Sequence, residues 1–264
     1  TAGVKSRFDA VYGEYTAANV VDFLLRDPAN ASSVMNAIEQ ARTNARMVRT
    51  ALTTEVWEAV NESWMAMKDA LKNPVPETEI PAVLGEIRRH SALVRGALHG
   101  TMLRNDIYDF ALIGMALERA DSTARIIDVK YYTLLPSTSS VGSALDNIQW
   151  ETILRSVSAH RSYRWLNAGE MSAPSIAEFM ILDSRFPRSL YFASRMIEAN
   201  LGYLAKDYGA RMPCHDLIDA QIAKLRDQTI ASIFEAGLHE FIGAFIRDNN
   251  AIGSQIERDY RFIG

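Results

Sequence analysis

The sequence predicts an all-α fold, a multi-helix bundle with duplicated helical units, and three observations carry that reading. Apolar residues recur at i, i+3, i+4 and i+7 through most of the 264 residues, and no stretch alternates with the two-residue period of a strand. Pro28, Pro74, Pro76, Pro136, Pro187 and Pro213 fall between these periodic segments. The segments also repeat: Ile38–Val48 matches Leu117–Ile127 at a constant offset, Glu39 on Glu118 and Arg46 on Arg125, and Tyr15–Asp27 parallels Met171–Asp183. Repeated helical units suggest an array or a pseudo-symmetric bundle.

Taken in order, Phe8 to Leu25 reads as a short helix interrupted at Gly13. Asp27-Pro28-Ala29-Asn30 is a turn, and Ser32 or Ser33 caps the long helix that follows through Ala51. Thr53-Thr54-Glu55 resets the phase, and Val56 to Leu71 carries Trp57, Val60, Trp64 and Met67 at helical spacing until Asn73-Pro74-Val75-Pro76 ends it. From Glu77 the pattern resumes with Ile87, Leu93, Val94 and Leu98. Asp106 to Leu134 is predicted as one long central helix that stops at Pro136, and Ser137 to Ser143 is the longest loop-like stretch. Asp146 to Trp165 reads as a single helix, a short one opens at Ser172-Ala173-Pro174 and ends at Asp183, and Ser189 to Tyr208 runs up to Gly209. After Pro213 two more are expected, His215 to Asp227 and Ile230 to Arg258.

Composition fits a globular domain, with 48% apolar and 23% charged residues. A net charge of −4 argues against a general nucleic-acid binder, whose footprint is basic. Cys214 is the single cysteine, which excludes an internal disulfide framework and a cysteine-based metal cluster. With no signal peptide and no uncharged run long enough to span a bilayer, a soluble cytoplasmic protein is expected.

Several familiar chemistries are absent. There is no Walker A loop, no Gly-x-Gly-x-x-Gly and no kinase motif, so no cofactor is expected. Glu86 and Glu235 each precede a histidine, His90 and His239, by one helical turn, but the di-metal bundle pattern needs Glu-x-x-His with partner glutamates on other helices. No metal site is expected, and solvated helix faces account for both pairs. His160-Arg161, just after Ser156 and Ser158, offers a base or an anion contact without a visible Asp partner or nucleophile elbow.

The central helix carries a charged stripe. At about 100° per residue, Asp121, Arg125 and Asp128 fall within about 80° of Glu118, while Ile113, Leu117, Ala120, Ala124 and Ile127 fill an apolar arc. Charges confined to one strip of an apolar rod are expected to be buried and paired, so that Glu118→Ala would cost roughly 3–5 kcal/mol. The matching stripe of Glu39, Arg42, Arg46 and Arg49 is net positive where the central one is net negative, and the two are expected to face each other across a polar seam. Arg119 lies on the opposite side of its helix and is expected to be open to a ligand or partner. With Arg95 and Arg104 nearby in sequence, these arginines fit three readings: a cleft for an anionic ligand, a fully paired structural network, or a partner-binding face.

The run His99-Gly-Thr-Met-Leu-Arg104-Asn-Asp-Ile-Tyr-Asp-Phe-Ala-Leu-Ile-Gly114-Met-Ala-Leu-Glu118-Arg119-Ala-Asp-Ser-Thr-Ala-Arg125 resembles the signature of the alpha-E domain family, bacterial helical proteins named for a Glu-Arg motif. Leu145–Leu154, Ser158-Ala-His-Arg161 and Asn249–Tyr260 resemble it too, so the likeness runs through nearly the whole chain. Members of the family start with a further Glu-Arg copy, which has no counterpart at the beginning of this sequence; one alpha-E-like helical domain over 1–264, lacking that copy, is expected.

The resemblance implies association with a circularly permuted, ligase-like ATP-grasp protein, often with a transglutaminase-like protein, in a peptide-ligating or peptide-modifying system. It marks Glu118, Arg119 and Arg125 as signature residues. The expected function is an accessory or substrate-holding subunit of such a system. One alternative is a self-sufficient hydrolase or amide-transfer enzyme using His160 or a carboxylate of the polar seam, and another is a purely structural scaffold. Candidate ligand- or partner-binding residues are Glu118, Arg119, Asp121, Arg125, Asp128, Arg104, Arg42, Arg46, His160 and Arg161. Neither nucleic acid nor membrane is expected as a partner.

Overall fold

A computed structural model describes residues 2–133, 144–167 and 171–262. The described residues form thirteen α-helices with two short 3-10 turns and no strand. They divide into two compact units, 1–104 and 105–264. The loop expected at 137–143 lies outside the described residues.

In the first unit, α1 (Ala2–Tyr12) and α2 (Ala17–Leu25) are separated at Gly13, whose φ of 68° explains why the helix breaks there. Phe8 packs against Tyr12, Tyr15 and Phe23, and the Tyr12 hydroxyl donates to Asp22 at 2.7 Å. α3 (Val34–Met47) is capped by Ser33, whose hydroxyl accepts the Asn36 N–H. It ends four residues earlier than expected because the chain tightens into a 3-10 turn at Arg49–Ala51. α4 (Thr54–Ala70), capped by Thr53, and α5 (Ile80–Thr101) complete the unit, with Leu25, Leu71 and Val83 at its core. Arg104 donates to the carbonyls of His99 (2.7 Å) and Met102 (3.2 Å), satisfying groups at the end of α5 that the helix itself leaves open.

In the second unit, α6 (Asp106–Thr133) is the central helix, with α10 (Leu190–Tyr208) and α13 (Leu238–Asp259) packed along it. α11 (Pro213–Arg226) fills the angle between those two. Small buried residues on α6, Ala116, Ala120 and Ala124, permit the close approach. Buried polar bonds then fix the register between helices: Asn249 donates to the Leu117 carbonyl at 3.1 Å, and Gln221 to the Ser194 hydroxyl at 3.0 Å. The short helices α7 (Ala144–Ser156), α8 (His160–Leu166), α9 (Ala173–Ile181) and α12 (Ile230–Ala236) build a second core around Leu154, Tyr163, Ile176 and Met180.

Two expected single helices are each two. Asp146 to Trp165 breaks at Ser158, which adopts φ 57° while the Ala159 N–H returns to the Leu154 carbonyl at 2.8 Å, a left-handed cap that ends α7. Ile230 to Arg258 breaks at Gly237, whose φ of 100° lies outside the helical region.

The two members of one sequence repeat share their helix caps without establishing a duplicated unit. Thr16 caps α2 as Ser172 caps α9, each helix has nine residues, and Ser33 and Ser189 cap the helices that follow. Asp27 and Asp183 each accept the N–H two residues on, at 2.6 and 2.7 Å. The other repeat sits in unequal settings, since α3 has 14 residues and α6 has 28.

Candidate functional site

The α6 stripe is less buried than its pattern suggested. Glu118 and Arg125 are exposed, and Asp121 and Asp128 are partly so. The arc that holds the stripe lies on the solvent side, and the helix buries Ile113, Ala120, Ala124 and Ile127 instead. The pairing is real but local. Arg125 grips Asp121 through two bonds, Nε at 2.6 Å and Nη2 at 3.0 Å, and this hydrogen bond, helped by the nearby carboxylates, outweighs desolvation and raises the guanidinium pKa. Asp128 meets His239 of α13 at 2.6 Å, so that histidine serves Asp128 rather than Glu235 one turn away. Arg119, expected to be open, is partly buried and donates to the Pro187 carbonyl at 3.1 Å, which ties α6 to the turn ahead of α10.

The other candidates fall elsewhere. Arg42 and Arg46 lie on α3 and Arg104 follows α5, all in the first unit, whereas the α6 stripe belongs to the second. His160 sits 3.2 Å from Glu151, which also accepts from Arg155 at 2.5 Å. Arg155 chiefly, with His160 adding, holds the Glu151 carboxyl below its ordinary range. The Ser156 hydroxyl donates to the Ile153 carbonyl at 2.7 Å, and Arg161 is exposed beside the histidine. The Ser156 hydroxyl is therefore committed to the backbone and not to His160. Among the described residues no three His, Cys, Asp or Glu side chains gather as a metal cluster would require.

Cys214 is held as a neutral thiol. Burial, then the Asp259 carboxylate, pushes its pKa up to about 12. Burial alone would raise the Asp259 carboxyl as well, but bonds from the Cys214 N–H at 2.8 Å and from Gln255 at 2.7 Å bring it below its usual value. His215 is equally committed: Nδ1 accepts the Met212 N–H at 2.9 Å, which leaves the proton on Nε2 to donate to the Leu201 carbonyl at 2.9 Å. The Cys-His-Asp set thus closes the start of α11 and is not a reactive triad.

Sequence reasoning missed a groove in the second unit. A groove of about 930 Å³ runs between α10 and α11, with Met196, Ala199, Ile222 and Ala223 among its apolar residues and Arg195, Glu198, Arg211, Asp219 and Arg226 among its charged ones. The charges pair as Arg195–Glu198 at 2.8 Å and Arg211–Asp219 at 2.6 Å. Their alternation on one side of each helix was readable at i, i+3 spacing for Arg195 and Glu198; the cross-element pairing was not.

With the Glu118-Arg119 pair placed on the central helix, the comparison with known families is decisive. Residues 1–261 match the profile of Alpha-E, described as a predicted alpha-helical domain with a conserved ER motif. The chain belongs to the Alpha-E family. It is also 22% identical over 228 residues to an uncharacterized protein of Mycobacterium bovis and, to the same extent, to uncharacterized proteins of two strains of Mycobacterium tuberculosis. Those matches cover 85% of this Alpha-E chain but 25% of each relative, so the chain spans about a quarter of their length. No solved structure matches it. No helix among the described residues is long and apolar enough to cross a membrane.

Proposed function

We propose that this Alpha-E chain is an accessory, substrate-holding subunit of an ATP-grasp-linked peptide ligation or modification system, and that the α10/α11 groove holds the peptide or amino acid. The observation that carries the reading is the groove's chemistry: both signs of charge stand over an apolar floor, which suits a ligand bearing an amine, a carboxylate and an apolar side chain. The state of the reactive groups supports binding over catalysis, because Cys214 is a raised, buried thiol, His160 is engaged by Glu151 and the Ser156 hydroxyl is bonded to the backbone. One observation favours the rival scaffold reading, namely that the groove's arginines already have carboxylate partners.

Calorimetric titration separates the two. A dipeptide with free ends is expected to bind, the same dipeptide blocked at both ends to bind about tenfold or more weakly, and Arg211→Ala to lose the preference. Absence of heat with every free-ended peptide would favour the scaffold. For the partner, affinity capture with the tagged full-length protein is expected to recover an ATP-grasp protein in stoichiometric amount; recovery of the bait alone would count against the accessory role.

A further inference from the structure

The first unit gathers four cations on one seam and gives three of them no carboxylate. Arg42 lies over the Trp64 ring at 4.0 Å and donates through Nε to Asn61 at 2.8 Å, Arg49 lies over Trp57 at 4.9 Å, and Lys68 reaches the Trp64 ring at 4.8 Å. Arg46, exposed on α3 between the two stacked arginines, completes the row. Among the described residues, none of the three arginines has a carboxylate of its unit within ion-pair distance.

The neighbouring helix could have neutralised them and does not. On α4, Trp57, Asn61, Trp64 and Lys68 occupy a face about 60° wide, while Glu55, Glu58 and Glu62 fall about 100–160° around the helix from Trp57. The buried residues Val56, Ala59, Val60, Ser63 and Met67 take the remaining arc. Acid and base are thus segregated on opposite sides of one helix. Like charges brought together repel, and a bound anion relieves that repulsion. The indoles hold two guanidinium groups in place beforehand, so less side-chain entropy is lost on binding, and guanidinium carries five N–H donors suited to carboxylates.

We propose that the α3/α4 seam docks a short acidic helical segment of a partner protein, its carboxylates at i, i+4 and i+7 meeting Arg42, Arg46 and Arg49. The complementarity is one of sign along a row, with Arg42 and Arg46 one turn apart on α3 and Arg49 at the start of the 3-10 turn that follows it. A short protein segment fits better than nucleic acid. The unit holds twelve basic and twelve acidic residues, net zero, and a phosphate lattice overrunning the seam would meet Glu55, Glu58 and Glu62.

The test is fluorescence anisotropy on the full chain with three labelled probes: a helical peptide carrying Glu at i, i+4 and i+7 on an alanine background, its scrambled isomer, and a single-stranded oligodeoxynucleotide of equal charge. The spaced peptide is expected to bind, to weaken with added salt, and to bind Arg46→Glu about tenfold or more weakly. Arg46 is exposed, so circular dichroism should be unchanged in that variant, and Arg49→Gln gives a second, milder step in the same direction. Undiminished binding to Arg46→Glu, equal binding of the scrambled peptide, or DNA binding at least as tight would overturn the proposal.

Discussion

The α3 and α6 stripes share a sequence pattern and end in opposite conditions. On α6, Asp121 is taken by Arg125 and Asp128 by His239. On α3, Arg42 and Arg49 are laid on Trp64 and Trp57, and Arg46 stands exposed. The helices themselves do not explain the difference; their neighbours do. α13 offers α6 an imidazole, whereas α4 offers α3 two indoles and turns its glutamates away. A charged stripe is therefore a structural seam or an open surface according to what packs beside it.

Variants can break or sharpen that contrast, the largest effect first. Ile127→Ala removes a fully buried side chain from the core face of α6 and is expected to cost about 2–5 kcal/mol in urea unfolding without changing affinity for the acidic peptide. The buried thiol gives a pH signature for the same unit. Its folded pKa, pushed up to about 12, lies above the ordinary value of 9.0, so the stabilisation is complete below about pH 9 and is lost as pH rises towards about 12. Thiol labelling at mildly alkaline pH should follow unfolding; rapid labelling of the native protein would contradict the burial.

Smaller effects test the stripes directly. Asp128→Ala removes the partly exposed pair with His239 and is expected to cost about 0.5–1 kcal/mol. Asp121→Ala, on the same helix, removes an i,i+4 pair worth about 0.3–0.5 kcal/mol. Glu118→Ala should fall within about 0.5 kcal/mol of the parent, well short of the buried-pair cost that its pattern alone implied, because the side chain is exposed. Thermal melts of the three variants check that order.

The fold was largely legible. Caps at Ser33, Ser172 and Ser189, and stops at Gly13 and Gly209, are local chemistry that neighbouring residues suffice to set. The break at Ser158 was not legible, because serine rarely takes positive φ and only the tertiary context holds it there. Of the site, the stripes were found from periodicity, but which side faced solvent was not. Periodicity gives a charged arc and an apolar arc, while burial of the arcs between them depends on how many helices surround the rod. The α10/α11 groove and the Trp57–Trp64 ladder each need two helices at once, and no single-helix pattern contains them.

Arg46 and Arg125 occupy matching places in the repeat, so the most direct measurement puts them side by side: titration of the spaced acidic peptide against Arg46→Glu and Arg125→Glu. Arg46→Glu is expected to lose about tenfold or more in affinity with its stability unchanged. Arg125→Glu, placing a fourth acid beside Glu118, Asp121 and Asp128, is expected to keep full affinity and lose about 1 kcal/mol of stability. Equal loss of affinity in both variants, or loss in Arg125→Glu alone, would contradict the account.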